Sequence, residues 1–203
     1  MLRTTLFALL LTLSAWGAPA LAEASVLQRL DLDQLTRAAE TIAVGRVLRT
    51  ESRWTKDGRR IITDATFRVD QAIAGCQLGD TLTVRRLGGK VNGLAQRVFG
   101  AAVLTSGDEV LLFLRHHQGW YSAVGMSQGA FFITRVKGGL PTTTRDLSGL
   151  ALTEPAGGTT TAGTTAAPAK IQTNNQAKTE TLTALLVRIK RMRSACLAEG
   201  RCR

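Results

Sequence analysis

The chain has 203 residues and a formal net charge of +11, and 44% of its residues are hydrophobic. This length is enough for one domain with a core plus appendages, and no segment after the N-terminal leader has the roughly 20 apolar residues of a transmembrane helix. The charge indicates affinity for polyanions such as nucleic acid, anionic lipid or acidic polysaccharide. Because the 26 basic residues are dispersed, the pattern favours a general arginine bias on solvated faces over such a function.

Residues 1–22 have the pattern of a secretory signal peptide. Arg3 precedes an apolar run from Leu6 to Leu13, and small residues lead up to Ala22. Cleavage after Ala22 predicts an exported protein of 181 residues, in the periplasm or outside the cell. The alternative is an uncleaved membrane anchor at the N-terminus.

A short helix is predicted at residues 32–39. Asp31 is a suitable N-cap, and Gln34 stands three residues on, as in a capping box. Leu30 and Leu35 have the spacing of a hydrophobic staple. The helix should therefore begin directly after Asp31 and pack on a sheet.

Three strands follow, at residues 42–54, 59–71 and 81–87. The second alternates between apolar and polar residues with a period of two, which places its apolar residues on one face. In the third strand Leu82 and Val84 face inward. The apolar positions change parity around Gly45, which indicates a β-bulge or burial on both faces there.

Residues 88–107 form a long connection with five glycines and no sustained periodicity. Loops of this length in compact domains are usually functional or poorly ordered. The sequence therefore predicts a binding loop with Gly88, Lys90, Asn92 and Arg97 as candidate contacts. The alternative is a crossover that only covers one end of a barrel.

Further strands are predicted at residues 110–114, 120–125 and 130–136. Strands at this spacing, mostly joined by short turns and without alternating helices, favour an antiparallel barrel or sandwich. The domain should span residues 23–150. Residues 151–179 are rich in Thr, Ala and Gly and predict a flexible linker.

Residues 180–203 predict a basic amphipathic helix followed by a tail that contains cysteine. Its candidate contacts are Arg188, Lys190 and Arg191. The helix has few bulky apolar residues, which favours packing on the domain or contact with a partner over binding to a membrane.

The three cysteines of an exported chain predict one disulfide and one free thiol. The short loop from Cys196 to Cys202 is the easiest to close. A bond from Cys76 to either of them is the alternative, and none of the three lies in a Cys-x-x-Cys motif.

Gly125 to Gly129 matches the Gly-x-Ser-x-Gly pattern around a hydrolase nucleophile, here Ser127. In that fold a helix follows the serine and the histidine comes later in the chain. Here a predicted strand follows, and His116 and His117 come earlier. A serine hydrolase is thus the weakest interpretation, and no spacing of residues predicts a cofactor or a metal.

Three apolar segments, 41–47, 67–75 and 107–114, look like those of a group of uncharacterised exported bacterial proteins. They also resemble netrin-like modules, which include tissue inhibitors of metalloproteinases. The resemblance covers about residues 30–136 and implies a five-stranded OB-type barrel with flanking helices. The inhibitors place an N-terminal cysteine in the protease's zinc site, and this chain has no cysteine before Cys76. Protease inhibition is therefore not implied.

The sequence and the resemblance together predict a mainly β protein with a five- to six-stranded antiparallel OB-like barrel, an N-terminal helix and a separate C-terminal helix. The predicted function is a non-enzymatic binding or interaction module, with an unidentified protein or polyanionic partner. Polyanion binding itself is the alternative function.

Overall fold

The computed structural model describes residues 26–148, 150–153, 171–172 and 179–202. The predicted signal peptide lies outside these residues. The helices and strands are β1 (Val26–Gln28), α1 (Leu32–Ala38), β2 (Thr41–Trp54), β3 (Ile61–Ala74), β4 (Thr81–Leu87), β5 (Gly89–Val91), β6 (Leu94–Gln96), β7 (Glu109–His117), β8 (Trp120–Ala123), β9 (Ala130–Thr134), β10 (Thr142–Thr144), β11 (Ala151–Thr153), β12 (Ile171–Gln172), β13 (Glu180–Thr181) and α2 (Leu182–Ala198). The prediction of a mainly β fold with one helix near each end is confirmed.

Five strands pair in a ring, in the order β2, β3, β4, β8, β7 and back to β2. Four of these pairings are antiparallel, whereas β4 and β8 run parallel. The expected antiparallel arrangement thus holds at four of the five steps, and one step must be parallel because strand directions cannot alternate at every step around a ring of five. The parallel contact is one residue pair, Val84 with Tyr121. The barrel is thus not formally closed, and we call the junction of β4 and β8 the seam.

The sheet continues beyond β7 through β9, β10 and β13. A separate small sheet pairs β1 in parallel with β11, and β11 with β12. The strands β11 and β12 fall inside the range 151–179 that the sequence predicts to be a linker. Leu152 is buried there, which gives this stretch an apolar anchor. The rest of that predicted linker, residues 154–170 and 173–178, lies outside the described residues.

Two layers of core lie on either side of β2 and β7. The barrel interior is filled by side chains such as Phe67, Leu112 and Leu114. The opposite faces of the same strands, including Ile42 and Phe113, pack against α1 and α2. This double burial explains the five consecutive apolar residues of β7, whose central positions are all inaccessible to solvent.

Helix α1 has the predicted capping box. The Asp31 Oδ1 accepts from the Gln34 backbone N–H at 2.7 Å, and the Gln34 Oε1 accepts from the Asp31 backbone N–H at 2.9 Å. These two bonds satisfy backbone groups that the first helical turn cannot pair internally. The predicted start of the helix is therefore confirmed.

Helix α2 packs on the sheet, which is one of the two alternatives that the sequence favoured. Leu182, Leu185, Leu186 and Ile189 are buried in the outer core layer. The Arg193 Nη1 donates to the carbonyl oxygens of Thr36 at 3.2 Å and Ala39 at 3.1 Å, at the carboxyl end of α1. The helix is therefore held to the sheet by apolar burial and to α1 by a cationic cap.

A disulfide joins Cys196 to Cys202 and closes the loop after α2. Cys76 is the free thiol, and it lies beside the start of β2, where its Sγ is 4.0 Å from the Ile42 carbonyl oxygen. Burial raises the pKa of the Cys76 thiol above its ordinary value, and the nearby Asp80 charge adds to the effect. The thiol is therefore poorly activated as a nucleophile.

At Gly45 the strands β2 and β3 approach each other closely. The register shifts between Val44 and Gly45, as expected for a bulge. A Cβ on Gly45 would lie 2.0 Å from the Arg68 carbonyl oxygen and 2.7 Å from the Phe67 ring. Only glycine therefore fits between the two strands.

Gly45→Ala is expected to lower the free energy of unfolding by roughly 3 kcal/mol, because the added methyl group forces the two central strands apart. Urea denaturation of both proteins measures the loss. Gly139→Ala is the matched control, because its nearest neighbours would be 3.6 Å away or more. Equal stability of the two variants would contradict the close approach.

Candidate functional site

A cavity of about 310 Å³ lies at the seam. Its wall combines residues of β4 and β8 with residues of the barrel interior, including Ala65, Val84 and Leu104. The cavity is therefore continuous with the apolar core. Its volume falls at the lower end of the range of small-molecule sites in proteins.

Small side chains keep the cavity open. Four alanines line it, at positions 65, 101, 102 and 123. The strands β4 and β8 on its two sides share one residue pair. No continuous ladder of backbone hydrogen bonds therefore holds the two strands together along the cavity. The gap in pairing and the small residues together leave room for a ligand.

Two arginines, Arg85 and Arg86, line this apolar space. Arg86 has the same parity in β4 as the buried Leu82 and Val84, so it occupies an inward position at the end of the strand. Its Nη1 donates to the Leu87 carbonyl oxygen at 3.3 Å, and its Nε is buried with no hydrogen-bond partner in the described part of the chain. Burial lowers the pKa of the Arg86 guanidinium from its ordinary value.

The neighbouring Arg85 has the opposite parity in β4, and its guanidinium is paired with a carboxylate. Its Nε and Nη2 donate to the two carboxylate oxygens of Asp64 at 2.7 Å and 2.9 Å. Arg53 adds a third contact to the same carboxylate at 3.0 Å. The hydrogen bond from Arg85 is the main cause that lowers the pKa of Asp64, and Arg53 contributes to it.

Aromatic residues form the rim beside this ion pair. The Arg85 Cζ lies 4.9 Å from the centre of the Trp120 ring. Trp120 stacks on His117 with ring centres 4.0 Å apart, and the His117 Nε2 is 2.8 Å from the Ser122 Oγ. The cation, the two rings and the hydroxyl hold Trp120 at the mouth of the cavity.

The predicted binding loop is partly ordered. It contains the hairpin β5–β6, whose turn residues Asn92 and Gly93 both have positive φ, at 49° and 81°. This corrects the prediction of a connection without regular structure, and the Asn-Gly pair explains the turn. The backbone N–H of Gly88 donates to the Ile61 carbonyl oxygen, while Lys90 and Arg97 are exposed.

The structure does not gather Gly88, Lys90, Asn92 and Arg97 around the seam cavity. The same connection reaches that cavity later, through Ala101, Ala102 and Leu104. The four predicted contacts therefore stay a prediction that is separate from the seam cavity.

Of the three cations predicted on α2, Arg188 and Arg191 line one cleft, and Lys190 is not among its lining residues. Arg188 is paired with Glu180, with its Nη1 2.9 Å from both carboxylate oxygens. Lys190 and Arg191 are exposed. The ion pair neutralises one of the three charges.

Ser127 lies in a 3₁₀ turn, Met126–Gly129, that leads straight into β9. Its side chain is buried, and its Oγ has no hydrogen-bond partner among the described residues. His117 contacts Ser122 instead. Within the described ranges, no histidine activates Ser127, and no group of three or more His, Cys, Asp or Glu side chains converges as a metal site.

The Asp64 cluster gives the fold a dependence on pH. Because the folded-state pKa of Asp64 is lowered, the ionised carboxylate stabilises the fold above about pH 4, and this contribution is lost as the pH falls through the folded-state pKa. Asp64→Asn is expected to flatten the fall in unfolding free energy between about pH 5 and pH 2. Chemical denaturation at several pH values measures the slope.

Arg85→Gln is the reciprocal variant, because it removes the main partner of the same carboxylate. It should likewise reduce the fall in unfolding free energy between about pH 5 and pH 2. An acid dependence that neither substitution changes would show that this cluster does not stabilise the fold.

No protein family, curated protein or solved structure was found to match this chain. The resemblance to netrin-like modules therefore stays a prediction. No helix within the described residues is long and apolar enough to cross a membrane.

Proposed function

We propose that the protein is a non-enzymatic binding module that holds the apolar part of a small ligand in the seam cavity. The observation that carries this proposal is the apolar cavity at the seam, continuous with the barrel interior. Ligand sites in proteins are typically concave, mostly apolar and supplied with a few polar groups at fixed positions. The cavity has that composition, with Thr63, Arg85, Arg86 and Ser122 as its polar lining residues.

The energetics of packing support a ligand here. Protein interiors are close-packed, and an apolar void forfeits the dispersion contacts of the atoms around it. A larger side chain at any of the four alanine positions would fill the space within the chain itself. A ligand that enters the cavity would regain these contacts on binding.

The signal-peptide pattern supports a location outside the cytoplasm. In the periplasm or beyond the cell, a module of this kind would act on small molecules of the envelope or surroundings. The OB-type resemblance supports the same class of function, since partly open barrels of this type commonly bind ligands.

The test uses 1-octanol, a neutral apolar probe, with the purified mature protein. We expect saturable binding, with NMR shifts of the methyl groups of Val84 and Leu104. Ala101→Leu should abolish these shifts, because the larger side chain occupies the cavity, while the thermal unfolding temperature is kept or raised.

Ala95→Leu is the matched control, because Ala95 is exposed on β6 and does not line the seam cavity. It should bind 1-octanol as the unmodified protein does. If both leucine variants bind the probe normally, or if the unmodified protein shows no saturable shifts, the proposal fails.

A further inference from the structure

We propose that the ligand is an amphipathic anion whose alkyl part fills the seam cavity and whose carboxylate or phosphate binds Arg86. This inference rests on the proposed function and specifies the chemistry of the ligand. Three observations carry it: Arg86 is in an inward position, its guanidinium has no carboxylate partner among the described residues, and the wall of the cavity is largely apolar.

The position is unusual for a cation. Inward positions of a small barrel are normally filled by apolar side chains, and β4 follows this rule at Leu82 and Val84. Arg86 continues the same face, opposite Thr63 in the strand ladder. A charged group that is partly removed from water costs free energy unless it is paired.

The described part of the chain provides no such pairing. Other arginines have carboxylate partners: Arg85 and Arg53 share Asp64, and Arg135 binds Glu109. No carboxylate that the structure describes forms an ion pair with Arg86. Its one hydrogen bond is the 3.3 Å contact with its neighbour's carbonyl, and the buried Nε remains unpaired.

One acidic residue borders a cleft next to Arg86 without pairing with it. Asp146 lines a neighbouring cleft that Arg86 also borders. The Asp146 Oδ1 accepts from the Ser148 backbone N–H at 2.9 Å, and it makes no ion pair with Arg86. An anion from outside the chain would therefore find the guanidinium available.

The guanidinium favours an anionic group, and the cavity beside it favours a hydrocarbon group of the same ligand. A guanidinium presents its donors in a planar fork that matches the oxygens of a carboxylate or a phosphate. The adjoining wall is formed largely by Ala, Val and Leu side chains, which favour a hydrocarbon group. One ligand that satisfies both is a short alkyl chain with an anionic head.

Isothermal titration of the mature protein with octanoate, octyl phosphate, 1-octanol and octylammonium tests the inference. We expect an anionic probe to bind about tenfold more tightly than 1-octanol, because hydrogen bonds to a charged group are stronger than those to a neutral one. Octylammonium should bind most weakly. The relative affinities of octanoate and octyl phosphate identify the preferred head group.

Arg86→Gln should remove the preference for anions and leave the affinity for 1-octanol unchanged. Arg86→Lys should retain part of the preference, because it keeps the charge without the planar fork. Arg68→Gln is the matched control: it removes an equal charge from an exposed position of β3, opposite Thr81 at the start of β4 and outside the lining of the cavity. It should behave as the unmodified protein.

The outcomes separate the two proposals. If octanoate, octyl phosphate and 1-octanol bind equally, the role of Arg86 is overturned while the cavity remains a binding site. If none of them binds, the proposed function itself fails. Circular dichroism shows whether Arg86→Gln folds, and if it does not, Arg86→Lys takes its place. A reduced anion preference in Arg86→Lys would support the inference. A preference equal to that of the unmodified protein would overturn it.

Discussion

The structure depends on a topological constraint: five strands cannot close a ring with antiparallel neighbours throughout. The parallel step falls between β4 and β8, and it is reduced to the pair Val84 and Tyr121. The barrel is therefore weakest at this seam. The cavity, the inward cation and the aromatic rim are all found there, which places the proposed site where the backbone itself leaves space.

The rest of the molecule compensates for the open seam on its opposite side. There β2 and β7 are buried on both faces, between the barrel interior and the two helices. Gly45 allows β2 to curl against β3, and Arg193 ties α2 to the end of α1. The side of the barrel opposite the seam is thus buried on both faces, whereas β4 and β8 share a single residue pair at the seam.

Local features were predictable from the sequence, whereas contacts between distant strands were not. The capping box at Asp31 and the strand β4 follow from short-range spacing, and both are found. The parallel pairing at the seam depends on where the hairpin β7–β8 packs against β4. This contact joins residues far apart in the sequence, so no local pattern encodes it. Two further signals lie in the sequence beyond the predicted strands. Asn92-Gly93 is a typical turn pair of a hairpin, here β5–β6, and Arg86 shares its parity with Leu82, which places Arg86 on the inward face of β4.

The central claim is that a ligand enters the barrel at the seam with its anionic head on Arg86. Isotope-filtered nuclear Overhauser measurements on the mature protein with octanoate test it most directly. The account predicts contacts from the alkyl chain to the methyl groups of Val84 and Leu104, and a shift of the Arg86 Nε–H signal. Contacts confined to exposed apolar residues outside the cavity, such as Phe99 and Val103, would contradict it.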